Sequence, residues 1–230
     1  MNAVLLSLVL LFTVSFAEQN SIVLQYTGVE TEHKHSNSIE KIKIEREQPS
    51  ECLDVHISVE HIYGGSYAND TIPKRCKKSF VTTVGKIMPM QLEEGVTTVA
   101  EIEVLDFIQN KSKKYPKEYV LIDSRRLKWY EEFTIPSAVN LPFNEIEYDE
   151  DFKEDFEKML KILSIKKVGK NFDFKDAKTA LFFCNGSWCG QSPYAIKHLL
   201  KMGYPAEKLL WYRGGLQSWL MLGFNTIKPK

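Results

Sequence analysis

Apolar and polar positions along the chain keep two different rhythms. In the stretch CLDVHISVEHI, residues 52–62, Leu53, Val55, Ile57 and Val59 alternate with Asp54, His56, Ser58 and Glu60. A period of two marks a strand with one face buried. Ile42 and Ile44 set between Lys41, Lys43 and Glu45 give a second candidate strand, and YGGSYANDTIPK supplies turn residues. Residues 18–92 are therefore predicted to form a small β-rich or irregular N-terminal region. From Thr97 the rhythm changes. Thr98 stands three residues before Glu101 in a capping-box arrangement, and Ile102, Leu105 and Ile108 follow at helical spacing. EYVLIDS then reads as a buried strand, and Phe152, Phe156, Met159, Leu160 and Leu163 share one face of a helix. KTALFFC reads as a strand, residues 191–202 as a helix, KLLWY as a strand and GGLQSWLML as a helix. Strands alternating with helices predict an α/β domain over residues 97–229, with a central parallel sheet flanked by helices.

Composition adds limits. Lys+Arg and Asp+Glu both number 30, so the chain has no formal net charge. Nothing in that balance offers the basic face or stripe that a nucleic-acid partner requires. The first 17 residues, MNAVLLSLVLLFTVSFA, are apolar and end in the small-residue pattern Ser15-Phe16-Ala17. They are expected to be a signal peptide, although no Lys or Arg precedes the apolar run. An uncleaved anchor is the alternative, but the run is short for a stable membrane span. The expectation is an exported, soluble chain beginning near Glu18, with the bacterial periplasm as its compartment.

Export changes how the four cysteines are read, because disulfides persist in an oxidising compartment. Cys52 and Cys76 are the economical candidate disulfide, although spacing alone does not fix connectivity. Cys184 ends the apolar run Ala180–Phe183 and precedes a loop that opens a helix. Such a position turns backbone N–H groups and the positive end of a helix dipole toward one sulfur. That environment favours a thiolate and can hold an anion. Asn185, Gly186 and Gly190 read as residues that shape the backbone. Trp188 either walls a pocket or covers the loop. Cys189 either resolves a modified Cys184 by forming a disulfide or fills the loop. No second cysteine pair or nearby His accompanies the two sulfurs, so no metal site is expected there.

Five segments, VLIDSR, FTIPSAVNLPF, the cysteine loop, SPYAIKHLLKMGYP and WYRGGLQSW, follow one another in an order that resembles a rhodanese-like domain. The resemblance spans roughly residues 97–226, and within it CNGSWCGQSP and EVLDFI are similar to exported bacterial members with an additional N-terminal region. It implies a sulfurtransferase with no cofactor, in which Cys184 is the nucleophile. That cysteine would take sulfane sulfur from a small donor or a persulfide-bearing protein, hold it as a persulfide, and pass it to a thiol or other acceptor. Asn185, Gly186, Ser187, Trp188, Cys189, Gly190, Gln191 and Ser192 would form the substrate-binding loop. Asp123 and Arg125 would support it by orienting loops. The loop departs from the family pattern in two ways: Gln191 stands where an Arg is expected, and the stretch from Cys184 to Ser192 is longer by two residues. A charge-assisted hydrogen bond is worth about 1.5–3 kcal/mol, so its loss should weaken a dianionic donor such as thiosulfate. The longer loop predicts a wider pocket and favours polysulfide, persulfide or protein-bound sulfur. Two other functions fit the same residues: a non-catalytic module that binds a periplasmic protein partner, and a thiol–disulfide redox protein using Cys184 and Cys189.

Overall fold

The computed structural model describes the backbone of residues 29–34 and 39–44, residues 59, 72, 73 and 75, and residues 85–222 and 224–229. Near the N-terminus, β1 (Val29–Lys34) and β2 (Ile39–Ile44) form an antiparallel pair with Val29 opposite Ile44. The second strand is the one that the Ile42–Ile44 alternation predicts. The predicted strand at residues 52–62, apart from Val59, lies outside the described residues, as do Cys52, Cys76 and the leading apolar segment. No helix among the described residues is long and apolar enough to cross a membrane.

Five parallel strands make the central sheet, in the order β3 (Thr97–Val99), β9 (Leu209–Tyr212), β8 (Thr179–Phe183), β4 (Tyr119–Asp123), β5 (Val139–Asn140). Both faces are covered, so the strands read as near-continuous apolar runs that split by parity. Leu121, Leu181, Phe183 and Tyr212 enter one core with Val104, Phe107, Leu216 and Trp219. Val120, Ile122, Ala180, Phe182, Leu209 and Trp211 enter the other. The second core is closed by α3 (Lys153–Leu163) and α4 (Gln191–Lys201). The first is closed by α1 (Glu101–Asp106), the π-helical turn Phe107–Ser112 that continues it, and α5 (Gly215–Met221). A short helix, α2 (Leu127–Glu132), follows β4, and a hairpin of β6 (Lys166–Val168) and β7 (Asn171–Asp173) precedes β8.

Two local expectations shift. Thr98 does not cap the first helix; it lies in β3, which pairs with β9, and its hydroxyl donates to the Met90 carbonyl. The helix begins after Ala100, whose N–H donates to Glu103 Oε2 at 3.0 Å. Alanine has no side-chain acceptor, so only this half of a capping box exists. The buried face is Val104 and Phe107, while Ile102 is 72% exposed. Pairing of the edge strand fixes the register that the helix inherits. On α3, Phe156, Met159, Leu160 and Leu163 are buried as their spacing predicts, but Phe152 falls before the helix and is exposed.

Candidate functional site

Cys184 follows β8 directly, at the carboxyl end of the central strand, the third of five parallel strands counted from β3. Ligands of open parallel sheets bind at these ends. The loop that follows is held from outside through its carbonyls. Leu216 and Gln217, in the first turn of α5, donate their N–H groups to Cys184 O (3.0 Å) and Asn185 O (2.8 Å). Cys189 N–H closes a turn onto Gly186 O at 2.9 Å, and Tyr194 N–H donates to Gly190 O at 2.9 Å. With carbonyls drawn outward, the N–H of Gly186 is turned to the Cys184 sulfur, as is that of Ser192.

Two side chains add donors to that sulfur. Ser192 Oγ donates to Cys184 Sγ at 3.2 Å, and Trp211 Nε1 on β9 donates to the same Oγ at 3.2 Å. The indole occupies the hydroxyl's lone pair and leaves its proton directed at sulfur. The Cys189 thiol also hydrogen-bonds to Cys184. One contact opposes ionisation: the Cys189 carbonyl, 3.5 Å from Cys184 Sγ, accepts from the thiol form. Burial pushes the Cys184 thiol up, but the four donors outweigh it and hold the group below its ordinary value. Cys189 moves the other way. Burial, its hydrogen bond to Cys184 and the charge of that neighbour push it well up, so it stays a thiol. Asn185 Nδ2 and Gln191 Oε1 lie 4.0 and 3.8 Å from Cys189 Sγ. The structure thus gathers Cys184, Asn185, Gly186, Cys189, Gln191 and Ser192 around two sulfurs.

Among the described residues the longer loop is filled rather than open. Trp188 is 5% exposed, with Nε1 on Gln217 Oε1 at 2.9 Å, and it fills the added length. Cys184 and Cys189 are each 2% exposed. A segment far away in sequence completes the closure. Gly85 bridges Cys189, Lys86 N–H donates to Trp188 O at 2.9 Å, and Met88 N–H donates to Ser187 O at 3.1 Å. Ser187 is thus joined to this strap through its carbonyl. The Met88 methyl lies 3.4 Å from where a side chain on Gly190 would begin. Arg213, just past β9, clamps the strap: NH2 donates to Met88 O at 2.9 Å and Nε to Pro89 O at 3.1 Å. Hydrogen bonds from a charged donor are worth about 1.5–3 kcal/mol, less where solvent reaches them. Arg213→Ala should therefore speed alkylation of Cys184 by iodoacetamide about tenfold, by loosening the strap. An unchanged rate would show that the strap does not limit access. Arg213 and Trp211 escaped the sequence reading. Both lie in the WYRGG segment, which read as a strand and a turn and carried part of the family resemblance, with no signal that its side chains reach the cysteine loop or residues 88–89.

Asp123 and Arg125 form a buried pair, 0% and 1% exposed. Arg125 NH2 and Nε reach the carboxylate at 2.8 and 3.0 Å, and NH2 also donates to Phe133 O. Thr134 Oγ1 donates to Asp123 Oδ2 at 2.7 Å, and Asn140 Nδ2 donates to the Asp123 and Arg125 carbonyls at 3.0 and 2.8 Å. Their partners lie in residues 133–140, so the pair ties that segment to the end of β4. The turn into α5 is equally constrained. Gly215 has φ +56°, and a Cβ there would lie 2.4 Å from Cys184 O.

No curated protein matches the chain. Among solved structures, a protein from Bacillus halodurans is 19% identical, covering 57% of this chain and 76% of its own, with a TM-score of 0.39. An As-Sb reductase from Leishmania major is 20% identical over 56% of this chain and 79% of its own, with a TM-score of 0.37. A thiosulfate sulfurtransferase from Pseudomonas aeruginosa is 17% identical over 61% of this chain and 22% of its own, with a TM-score of 0.40. The family model for the rhodanese-like domain matches residues 105–222, just over half of the chain, and the chain belongs to that family.

Proposed function

We propose that this chain is an exported sulfurtransferase that carries sulfane sulfur on Cys184. The observation that supports this most is the set of donors on one sulfur: the Cys189 thiol, the Ser192 hydroxyl and two main-chain N–H groups. A thiolate is the form that attacks sulfur, and the same donors would stabilise the charge of a persulfide without reorganising. Among residues 184–192 there is no Lys or Arg, and the nearby Arg213 is engaged with the strap. That balance favours a singly charged persulfide or polysulfide terminus over thiosulfate, with a persulfide-bearing protein as a further donor. The apolar first 17 residues support a place in the bacterial periplasm, the mature chain running from Glu18 through an N-terminal region into the domain at 97–229.

The test is intact mass after the reduced protein meets a persulfide donor. The wild type should react at the loop and Cys184→Ser should not. A Cys184→Ser protein modified to the same extent would remove Cys184 from the chemistry. Burial of both sulfurs at 2% exposure favours a second reading, a non-catalytic module that binds a protein partner. Absence of any sulfur-dependent mass change in the wild type would support it.

A further inference from the structure

The sulfurtransferase reading leaves open where the sulfur goes, and a deeper inference, which rests on that reading, concerns Cys189. We propose that Cys189 is the first acceptor: it attacks the Cys184 persulfide at its inner sulfur, releases hydrosulfide and leaves a Cys184–Cys189 disulfide. Three observations carry this. Cys189 closes the turn that starts just after Cys184, with its N–H on Gly186 O at 2.9 Å. Both cysteines are buried, with Cys184 Sγ 3.5 Å from the Cys189 carbonyl. The strap 85–88 is bonded to residues 187–189, so Cys189 is held in place before any sulfur arrives. Reacting groups held in contact gain effective molarities on the order of 10⁵ M or more when well aligned. A buried intramolecular thiol therefore outcompetes millimolar thiols in solution.

The steps balance. Cys184 thiolate attacks the outer sulfur of a donor persulfide; a Cys184 Sγ–S bond forms, the donor S–S bond breaks, and the donor leaves as a thiolate. Cys189 then gives its proton to the terminal sulfur as its Sγ bonds to Cys184 Sγ. The Cys184–sulfur bond breaks and its electron pair leaves with the terminal sulfur as hydrosulfide. Cys189 is oxidised and the transferred sulfur is reduced. An external dithiol, itself oxidised to a disulfide, returns both cysteines to thiols. The loop suits the exchange because Cys189 sits after a turn closed by its own N–H on Gly186 O, so its side chain can advance without displacing the α5 contacts on residues 184 and 185.

The experiment loads full-length reduced protein with glutathione persulfide, removes excess donor, and follows intact mass and free hydrosulfide without added thiol. Wild type should lose two protons at the loop and release about one hydrosulfide per chain. Cys189→Ser should keep the added sulfur on Cys184 and release hydrosulfide at least about 100-fold more slowly. Cys189→Ala, checked for wild-type thermal unfolding, should behave the same way and excludes an effect of the new hydroxyl. A wild type that holds a stable persulfide beside a free Cys189 thiol overturns the inference while leaving sulfur transfer intact. So does a Cys189→Ser protein that releases hydrosulfide at the wild-type rate. If neither wild type nor Cys189→Ser gains sulfur at any time, both readings fall together. Dithiothreitol added to oxidised wild type should restore a second round of hydrosulfide release; failure to do so also counts against the cycle.

Discussion

Arg125→Leu is expected to lower the stability of the domain by about 3–5 kcal/mol, the loss seen when one partner of a buried ion pair is removed. The size follows from what would be left behind. Asp123 is fully buried, and Arg125 is its only cationic partner among the described residues. Without the guanidinium, Thr134 Oγ1 and the Arg125-position main-chain N–H would remain as donors to an uncompensated charge. The Phe133 carbonyl would also lose its donor, and the guanidinium would no longer stack on the Phe133 ring, 5.0 Å from its centroid. Thermal unfolding measures this directly, and a fall on the order of 10 °C is expected for a domain of this size. The double variant Asp123→Asn with Arg125→Leu should recover part of the loss, because no charge is then stranded. If Arg125→Leu costs less than about 1 kcal/mol, the pair is not what holds segment 133–140 to β4.

Gly215→Ala is the second large effect. Two costs combine at this position. The left-handed backbone at φ +56° costs an alanine about 1–2 kcal/mol. Its Cβ would also lie 2.4, 2.7 and 2.8 Å from Cys184 O, Gly186 N and Asn185 C, all backbone atoms that cannot rotate aside. Overpacking of this kind adds roughly 1–3 kcal/mol. Relief requires the start of α5 to move, which would lengthen the bonds from Leu216 and Gln217 to the loop carbonyls and turn Gly186 N–H off the sulfur. Stability and sulfur loading should therefore fall together. Gly169 in the β6–β7 turn is the control: its φ is +63°, but nothing lies within 4 Å of a Cβ there. Gly169→Ala should incur the backbone cost alone and leave loading unchanged. Equal destabilisation by the two alanines in urea titrations would refute the crowding at Cys184.

The sequence by itself determined the layered α/β architecture and the position of Cys184 at the end of a core strand. Val120–Ile122 and Ala180–Phe183 are apolar on both faces, as only a doubly covered parallel strand can be, and α3 and α4 carry their buried residues at helical spacing. These are short-range signals, fixed by the pleat and the helical turn, so they survive in one dimension. Cys184 at the end of a buried strand follows from the same logic. What the tertiary structure decided involves residues far apart in the chain. The start of α1 moved because β3 pairs with β9, more than a hundred residues later. The Ser192 hydroxyl is aimed at Cys184 by Trp211, and the cysteine loop is closed by residues 85–88 under the clamp of Arg213. No periodicity encodes such meetings, because each depends on which chain segments the packed core brings side by side. Whether Cys189 resolves Cys184 or fills the loop was open on spacing alone; the turn closed by Cys189 N–H on Gly186 O places the Cys189 carbonyl 3.5 Å from Cys184 Sγ, a meeting only the folded loop creates.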